Sequence, residues 1–214
     1  MSRNEVSLAP VRPAGHAGGL DSLLIQRRST RTFGSQPLSL AHLTSVVWAA
    51  QGRTAAGHRT CPSAHALYPL TLTVVAGNVE DLPAGSYTYN PERHLLMSVA
   101  DGDQRDAVAG TAFADWGWLG TAAALLLLSA DLDAANEHFT DQPPQGERGQ
   151  RYVWLEAGHA SQNVYLRTSA AGLGAVLVAG FNDDHLLALE PGVVPPSHHP
   201  LALLGIGHPV DRIT

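Results

Sequence analysis

Apolar residues along this chain recur at two different periods, and the changes of period mark out its elements. Leu40, Leu43, Val46, Val47 and Ala50 follow the spacing of one helix face. Ser39 stands before them as an N-cap, and Gly52 follows where a C-terminal glycine belongs. The polar stretch 52–63 then predicts a loop. Leu70 to Ala76, rich in β-branched residues, predicts a strand, and Ser86 to Tyr89 with Leu95 to Val99 a hairpin near Asn90-Pro91-Glu92. Gln104 to Ala114 reads as a helix. Ala122 to Ala130 is apolar on both faces, which predicts a central strand.

The strongest helical pattern runs from Arg151 to Ala171. Val153, Ala157, Ala160, Val164, Thr168 and Ala171 share its stripe, and Gly172 ends it. Residues 141–150, with Pro143-Pro144 and Gly146, read as a mobile loop or a break between helices. Ala175 to Ala179 and Leu201 to Ile206 are the last strands, with a short helix at Asp183 to Leu189 between them. Near the start, Asp21 reads as the N-cap of a short helix that carries Leu23, Leu24 and Ile25 and delivers Arg27 and Arg28. Residues 1–20 are expected to form a flexible arm, and 21–214 one α+β domain.

Composition narrows the function. Across 214 residues the apolar fraction is 44% and the charged fraction 15%, which suits a globular core. A net charge of -6, with no basic run beyond one Arg cluster, argues against nucleic acid as a partner. The single cysteine, Cys61, excludes an internal disulfide and suits a reducing cytoplasm. Met1 to Gly19 carries no apolar signal core, and the apolar run Ala122 to Leu128 is far too short to span a bilayer, so no membrane association is expected.

Arg27-Arg28-Ser29-Thr30-Arg31 puts three guanidinium groups and two hydroxyls in one short segment. Guanidinium forks grip phosphate oxygens bidentately, and a neighbouring hydroxyl adds a short donor. The other motifs are negative. Gly172-Leu173-Gly174 follows a helix and has Leu177 where a third glycine would stand, so a dinucleotide fingerprint is rejected. His198-His199 and His208 lack metal-ligand spacing, and no metal is expected.

The Arg segment, Pro62-Ser63-Ala64-His65-Ala66-Leu67-Tyr68-Pro69, and Glu156-Ala157-Gly158-His159-Ala160-Ser161-Gln162-Asn163 leading to Gly172-Leu173-Gly174 and Gly180-Phe181 occur in the order of one known family. From Asp21 to Pro209 the chain resembles the nitroreductase-like FMN flavoproteins. The Pro-Ser and Glu-Ala-Gly-His wording is most similar to the SagB-type branch, which oxidises azoline rings in peptides. The resemblance implies an α+β nitroreductase-like fold, a central mixed or antiparallel sheet flanked by helices. It also implies a homodimer with the long helix at its interface and two flavin sites there. The stripe Ala157, Gly158, Ala160 and Ser161 suits that interface or close packing within one subunit, and the sequence leaves both open.

For the site, the resemblance implies FMN phosphate held by Arg27, Arg28, Ser29 and Arg31, with Arg212 as a further basic residue. Arg31 is also placed at the pyrimidine side of the ring. Pro62, Ser63, Ala64 and Leu67 are implied as flavin contacts, and Leu177, Val178, Ala179 and Gly180 as the loop offering main-chain donors to N5 and O4. Many relatives carry Glu where Ala179 stands. Tyr68, Trp116 and Trp118 are candidates for lining the substrate space or for packing. NAD(P)H is a possible electron donor. Azoline-oxidising relatives place a Lys-Tyr pair before Gly-Glu-Arg-Gly; here Pro144-Gln145 precede Gly146-Glu147-Arg148-Gly149. The implied activity is therefore an FMN-dependent oxidoreductase, with azoline dehydrogenation and a flavin-binding subunit without its own turnover as alternatives.

Overall fold

The computed structural model describes residues 19–114 and 116–210, with the Trp116 side chain left out. Residues 1–18 of the predicted N-terminal arm, Arg212 and the substrate-lining role of Trp116 therefore lie outside what is described, while Gly19 and Leu20 of that arm begin the first helix instead. Seven α-helices and six strands follow in the order α1 (Leu20–Gln26), α2 (Leu40–Gln51), β1 (Leu70–Ala76), β2 (Gly85–Asn90) and β3 (Leu95–Asp101), with a 3-10 turn at Ala64–Ala66 between α2 and β1. Then come α3 (Arg105–Ala109), α4 (Trp116–Leu119), β4 (Ala124–Ala130), α5 (Leu132–His138), α6 (Arg148–Ala170), β5 (Gly174–Val178), α7 (Asp183–Leu187) and β6 (His199–Gly207) among the described residues.

The strands form one sheet of order β3-β2-β1-β4-β6-β5, with antiparallel neighbours throughout. The α+β architecture expected from the sequence is present, and its sheet is antiparallel rather than mixed. β4 lies centrally and is buried along its whole length. Alternate side chains serve opposite faces. Leu126 and Leu128 join the core that includes Leu43, Val46 and Val47 of α2 and Val153, Ala160 and Val164 of α6. Leu125 and Leu127 join the second core, with Val108, Leu119, Val176 and Leu186. Two covered faces explain why an antiparallel strand here lacks the usual polar alternation. No helix among the described residues is long and apolar enough to cross a membrane.

Several boundaries differ from the pattern, each for a local reason. Gly19, not Asp21, is the N-cap of α1; Asp21 sits in its first turn, where its charge suits the helix dipole. The helix expected over 104–114 ends at Ala109, because the chain leaves it to bridge Ala112 with Phe181. α5 was not expected: it is seven residues long and buries Ala135 alone, so it shows no apolar stripe. Its cap is readable afterwards, since Asp131 accepts from the Ala134 N–H at 2.8 Å. α6 begins at Arg148, inside the segment read as a loop. A Cβ on Gly149 would lie 2.2 Å from the Ala135 backbone, so glycine there lets α5 and α6 touch. Gly52 ends α2 for a similar reason: it has φ -68, and a Cβ would strike Trp48 at 2.3 Å. Gly172, with φ +69, is the left-handed residue after α6.

Candidate cofactor site

The Arg segment leaves α1 and runs along the free edge of β5. Ser29 bridges Ala175 in parallel, and the Thr30 N–H donates to the Ala175 carbonyl at 2.9 Å. Gly174 makes this approach possible, because a Cβ there would sit 2.5 Å from the Thr30 side chain. Beyond Arg31 the chain is strapped to the end of β6: Gly34 N–H donates to His208 O at 2.8 Å, and Val210 N–H to Thr32 O at 3.1 Å. The backbone carrying the guanidinium groups is thus fixed on both sides.

One side chain ties this segment to the sheet. Tyr165, on α6, accepts the Leu177 backbone N–H at 2.8 Å and bonds to the Ser29 hydroxyl at 3.2 Å. The Arg27 guanidinium stands 5.3 Å from its ring centroid, a cation–π contact. Arg27, Arg28, Thr30, Tyr165 and Ser169 line a polar groove of about 470 Å³. That volume lies within the roughly 300–1,000 Å³ of small-molecule sites. Two guanidinium groups and several hydroxyls at one open groove fit a phosphate group. Arg31 points elsewhere, with its guanidinium 6.0 Å from the Trp118 ring. Past Leu177, Val178 is buried, whereas Ala179 and Gly180 are exposed; the Gly180 carbonyl accepts from Phe113 N–H at 2.9 Å.

The Pro-Ser segment forms a second cavity, of about 260 Å³, lined by Pro62, Ser63, Ala64, Tyr152, Glu156 and His159. Its backbone is unusual: His65, Ala66 and Tyr68 have φ of 54, 52 and 51, in the left-handed region that L-residues disfavour. Side-chain contacts hold the turn. Ser63 Oγ accepts from Tyr68 N–H at 2.9 Å, the Arg59 guanidinium lies 5.0 Å over the Tyr68 ring, and His65 packs on Phe139 at 4.8 Å. Leu67 packs against the core below. Tyr68 therefore stacks with Arg59, while Trp118 faces Arg31.

Beneath the turn, Glu156 is buried at 2% exposure. Burial pushes its carboxyl above the ordinary value, against the lowering influence of Ser63, Gln51 and Arg59. Burial likewise pushes the Cys61 thiol up to about 12, with the Glu156 charge adding to the effect. That keeps the cysteine a neutral core residue.

The structure thus brings Arg27, Arg28, Ser29 and Leu177 together around Tyr165. It does not bring Pro62, Ser63, Ala64 and Leu67 to the same groove within one protomer. Glu156 and Tyr165 are nine residues apart on α6, about two and a half turns, so they point to opposite sides of the helix. Sequence reasoning passed over Tyr165, which stands in a helical stretch with no motif of its own.

A family model described as the nitroreductase family matches residues 24–208. The chain belongs to the nitroreductase family. A Methanocaldococcus jannaschii protein named as a nitroreductase is 34% identical over 193 residues, covering 90% of this chain and 92% of that one. A crystal structure from Ralstonia eutropha, also named as a nitroreductase, superposes with a TM-score of 0.74 at 29% identity, covering 96% of this chain and 89% of that chain. A chain of the Escherichia coli microcin synthetase McbBCD complex with truncated pro-MccB17 bound gives a TM-score of 0.73. It is 21% identical, with 99% of this chain and 79% of that one covered, and the likeness is one of fold.

Proposed function

We propose that this nitroreductase-family protein is an FMN-dependent oxidoreductase that works as a cytoplasmic homodimer. The observation that carries the reading is the Arg27–Arg28 groove, joined through Tyr165 to the edge of β5. In this reading Arg27, Arg28, Ser29 and Thr30 hold the FMN phosphate. Arg31 lies toward the pyrimidine side, and Ala179 and Gly180 face the ring. When bound, FMN would supply hydride transfer through N5, with NAD(P)H as the electron donor. The chain's own residues bind the phosphate, orient the ring and exclude water.

The placement of the motifs supports a dimer. Pro62–Leu67 and the Arg groove lie on opposite sides of α6, so one flavin meets both sets only if two protomers share it. Trp154 and Leu155 on α6, 49% and 56% exposed, offer apolar surface for that pairing. Of the small-residue stripe, Ala157, Ala160 and Ser161 are buried within the protomer, and Gly158 alone is exposed.

A second reading, azoline dehydrogenation in a peptide-derived substrate, draws on the SagB-like wording of the Pro-Ser and Glu-Ala-Gly-His segments. The fold likeness to a chain of the microcin synthetase complex is in keeping with it. Pro144-Gln145 stand where that chemistry uses Lys-Tyr, which places it behind a general reductase.

The test is purification with added FMN, then assay with NAD(P)H and an artificial acceptor. A yellow dimer that releases FMN and turns over supports the main reading. A yellow, inert dimer favours a flavin-binding subunit, and protein that takes up no FMN overturns all of these readings.

A further inference from the structure

Glu156 is the fully buried carboxyl among the described residues, and the reading above gives it no task. It stands on α6 beneath the Pro62–Tyr68 turn. Gln51 of α2 and Ser63 lie beside it. Both approach the carboxyl closely enough to lower its pKa, yet Glu156 Oε1 and Gln51 Nε2 lack a partner with full hydrogen-bond geometry among the described residues. A buried carboxyl oxygen this poorly paired is costly, and a core position fillable by an apolar side chain does not account for it. The same carboxyl lines the 260 Å³ cavity behind Pro62, Ser63 and Ala64. The turn above it is held in the left-handed region at His65, Ala66 and Tyr68. Ser63 Oγ already accepts the Tyr68 N–H, so the hydroxyl proton is free to turn toward an acceptor below.

We propose that Glu156 is a positioning residue of the flavin site: it holds Ser63, and through it the Pro62–Tyr68 turn, against the flavin of the partner subunit, and its charge sets that flavin's potential. This rests on the reading above of an FMN site shared across a homodimer. The chemistry is electrostatic. Two-electron reduction adds negative charge to the flavin's pyrimidine side, and a carboxylate buried behind the contacting turn opposes it. Ionised Glu156 therefore lowers the potential of bound FMN, and protonated Glu156 does not. The other ionisable groups around the carboxyl are Arg59 and Cys61 from the loop before Pro62, and Tyr152 and His159 on α6.

The experiment uses full-length protein reconstituted with FMN. The midpoint potential of the bound flavin is measured at pH 5 and pH 8.5 for wild type, Glu156→Gln and Ser63→Ala. Circular dichroism and FMN dissociation constants are recorded alongside. Glu156→Gln keeps the shape and removes the charge. At pH 8.5 it is expected to favour the reduced flavin about tenfold more than wild type does, close to 30 mV for a two-electron couple. The gap is expected to narrow as pH falls through the titration of the wild-type carboxyl, which burial raises. Ser63→Ala is expected to weaken FMN binding at least tenfold with the fold intact. A merely structural Glu156 moves thermal stability but leaves the potential of bound FMN unchanged at both pH values. That result overturns the inference while FMN binding itself stands, as does a Ser63→Ala protein with unchanged FMN affinity. Wild type that binds no FMN overturns the flavin reading and the inference with it.

Discussion

The Tyr165 hydroxyl accepts the Leu177 backbone N–H at 2.8 Å, across the gap between α6 and the edge strand β5. The same oxygen meets Ser29 at 3.2 Å, and the ring faces Arg27. A helix, a strand and the cationic segment are thus located by one side chain. The Leu177 amide is occupied by protein, which leaves Ala179 and Gly180 as the exposed backbone beyond it.

Tyr165→Phe keeps the ring under Arg27 and removes the hydroxyl. The half-buried Leu177 N–H then loses its partner, a loss of about 1 kcal/mol at the low end for an unpaired donor. Ser29 is released as well. The expected result is a small fall in melting temperature, faster amide exchange at Leu177 and weaker FMN binding. Amide exchange at Leu177 that matches wild type would show that the hydroxyl is not what holds this edge.

Arg28 is exposed on the wall of the groove, with no core role visible around it. Arg28→Ala is therefore expected to leave the fold alone and to weaken FMN binding by about 1.5–3 kcal/mol, the range for hydrogen bonds to charged groups. Lys should restore only part, because a point charge lacks the bidentate fork. Titration of the apoprotein with FMN decides this, and an unchanged dissociation constant would make the segment an ordinary solvated turn.

Much of this arrangement was legible from the residues. The continuous apolar run of β4, the Ser39 cap and the stripe of α6 are local patterns, and local patterns survive folding. What was hidden depends on contacts distant in sequence. Gly149 looks like a loop glycine until the Ala135 backbone is found against it, and α5 has too little buried surface to leave a stripe. Tyr165 meets Ser29 across 136 residues, which no periodicity encodes. The opposite placement of the Pro-Ser turn and the Arg groove likewise follows from where α6 runs, not from either motif.

Stability should depend on pH through Glu156 with a definite sign. Burial raises the carboxyl above its unfolded value of about 4.3. The folded protein thus keeps the proton where the unfolded chain has lost it, so this group makes stability fall as pH rises through that window. Glu156→Gln removes the dependence. Urea unfolding at pH 4 and pH 8 should show the variant gaining on wild type at the higher pH. A difference that is the same at both ends would mean that the carboxyl titrates alike in the folded and unfolded chains.

Gly158 offers a test of the dimer that does not confuse association with folding. A Cβ at this position meets nothing within 4 Å, so a larger side chain has room in the protomer. Replacing a mid-helix glycine by leucine also favours the helix by up to about 1 kcal/mol. Gly158→Leu should therefore leave an isolated protomer folded and somewhat more stable. It stands within one turn of exposed Trp154 and Leu155, on the face of α6 proposed for the interface. Overpacking such a contact costs roughly 1–3 kcal/mol. The expected outcome is monomer in sedimentation, unchanged helix content and loss of FMN together with the partner, because in the proposed dimer each flavin draws on both protomers. A wild type that sediments as a monomer with flavin bound would remove the shared site altogether. A Gly158→Leu dimer that keeps its flavin would move the interface to another face of the molecule.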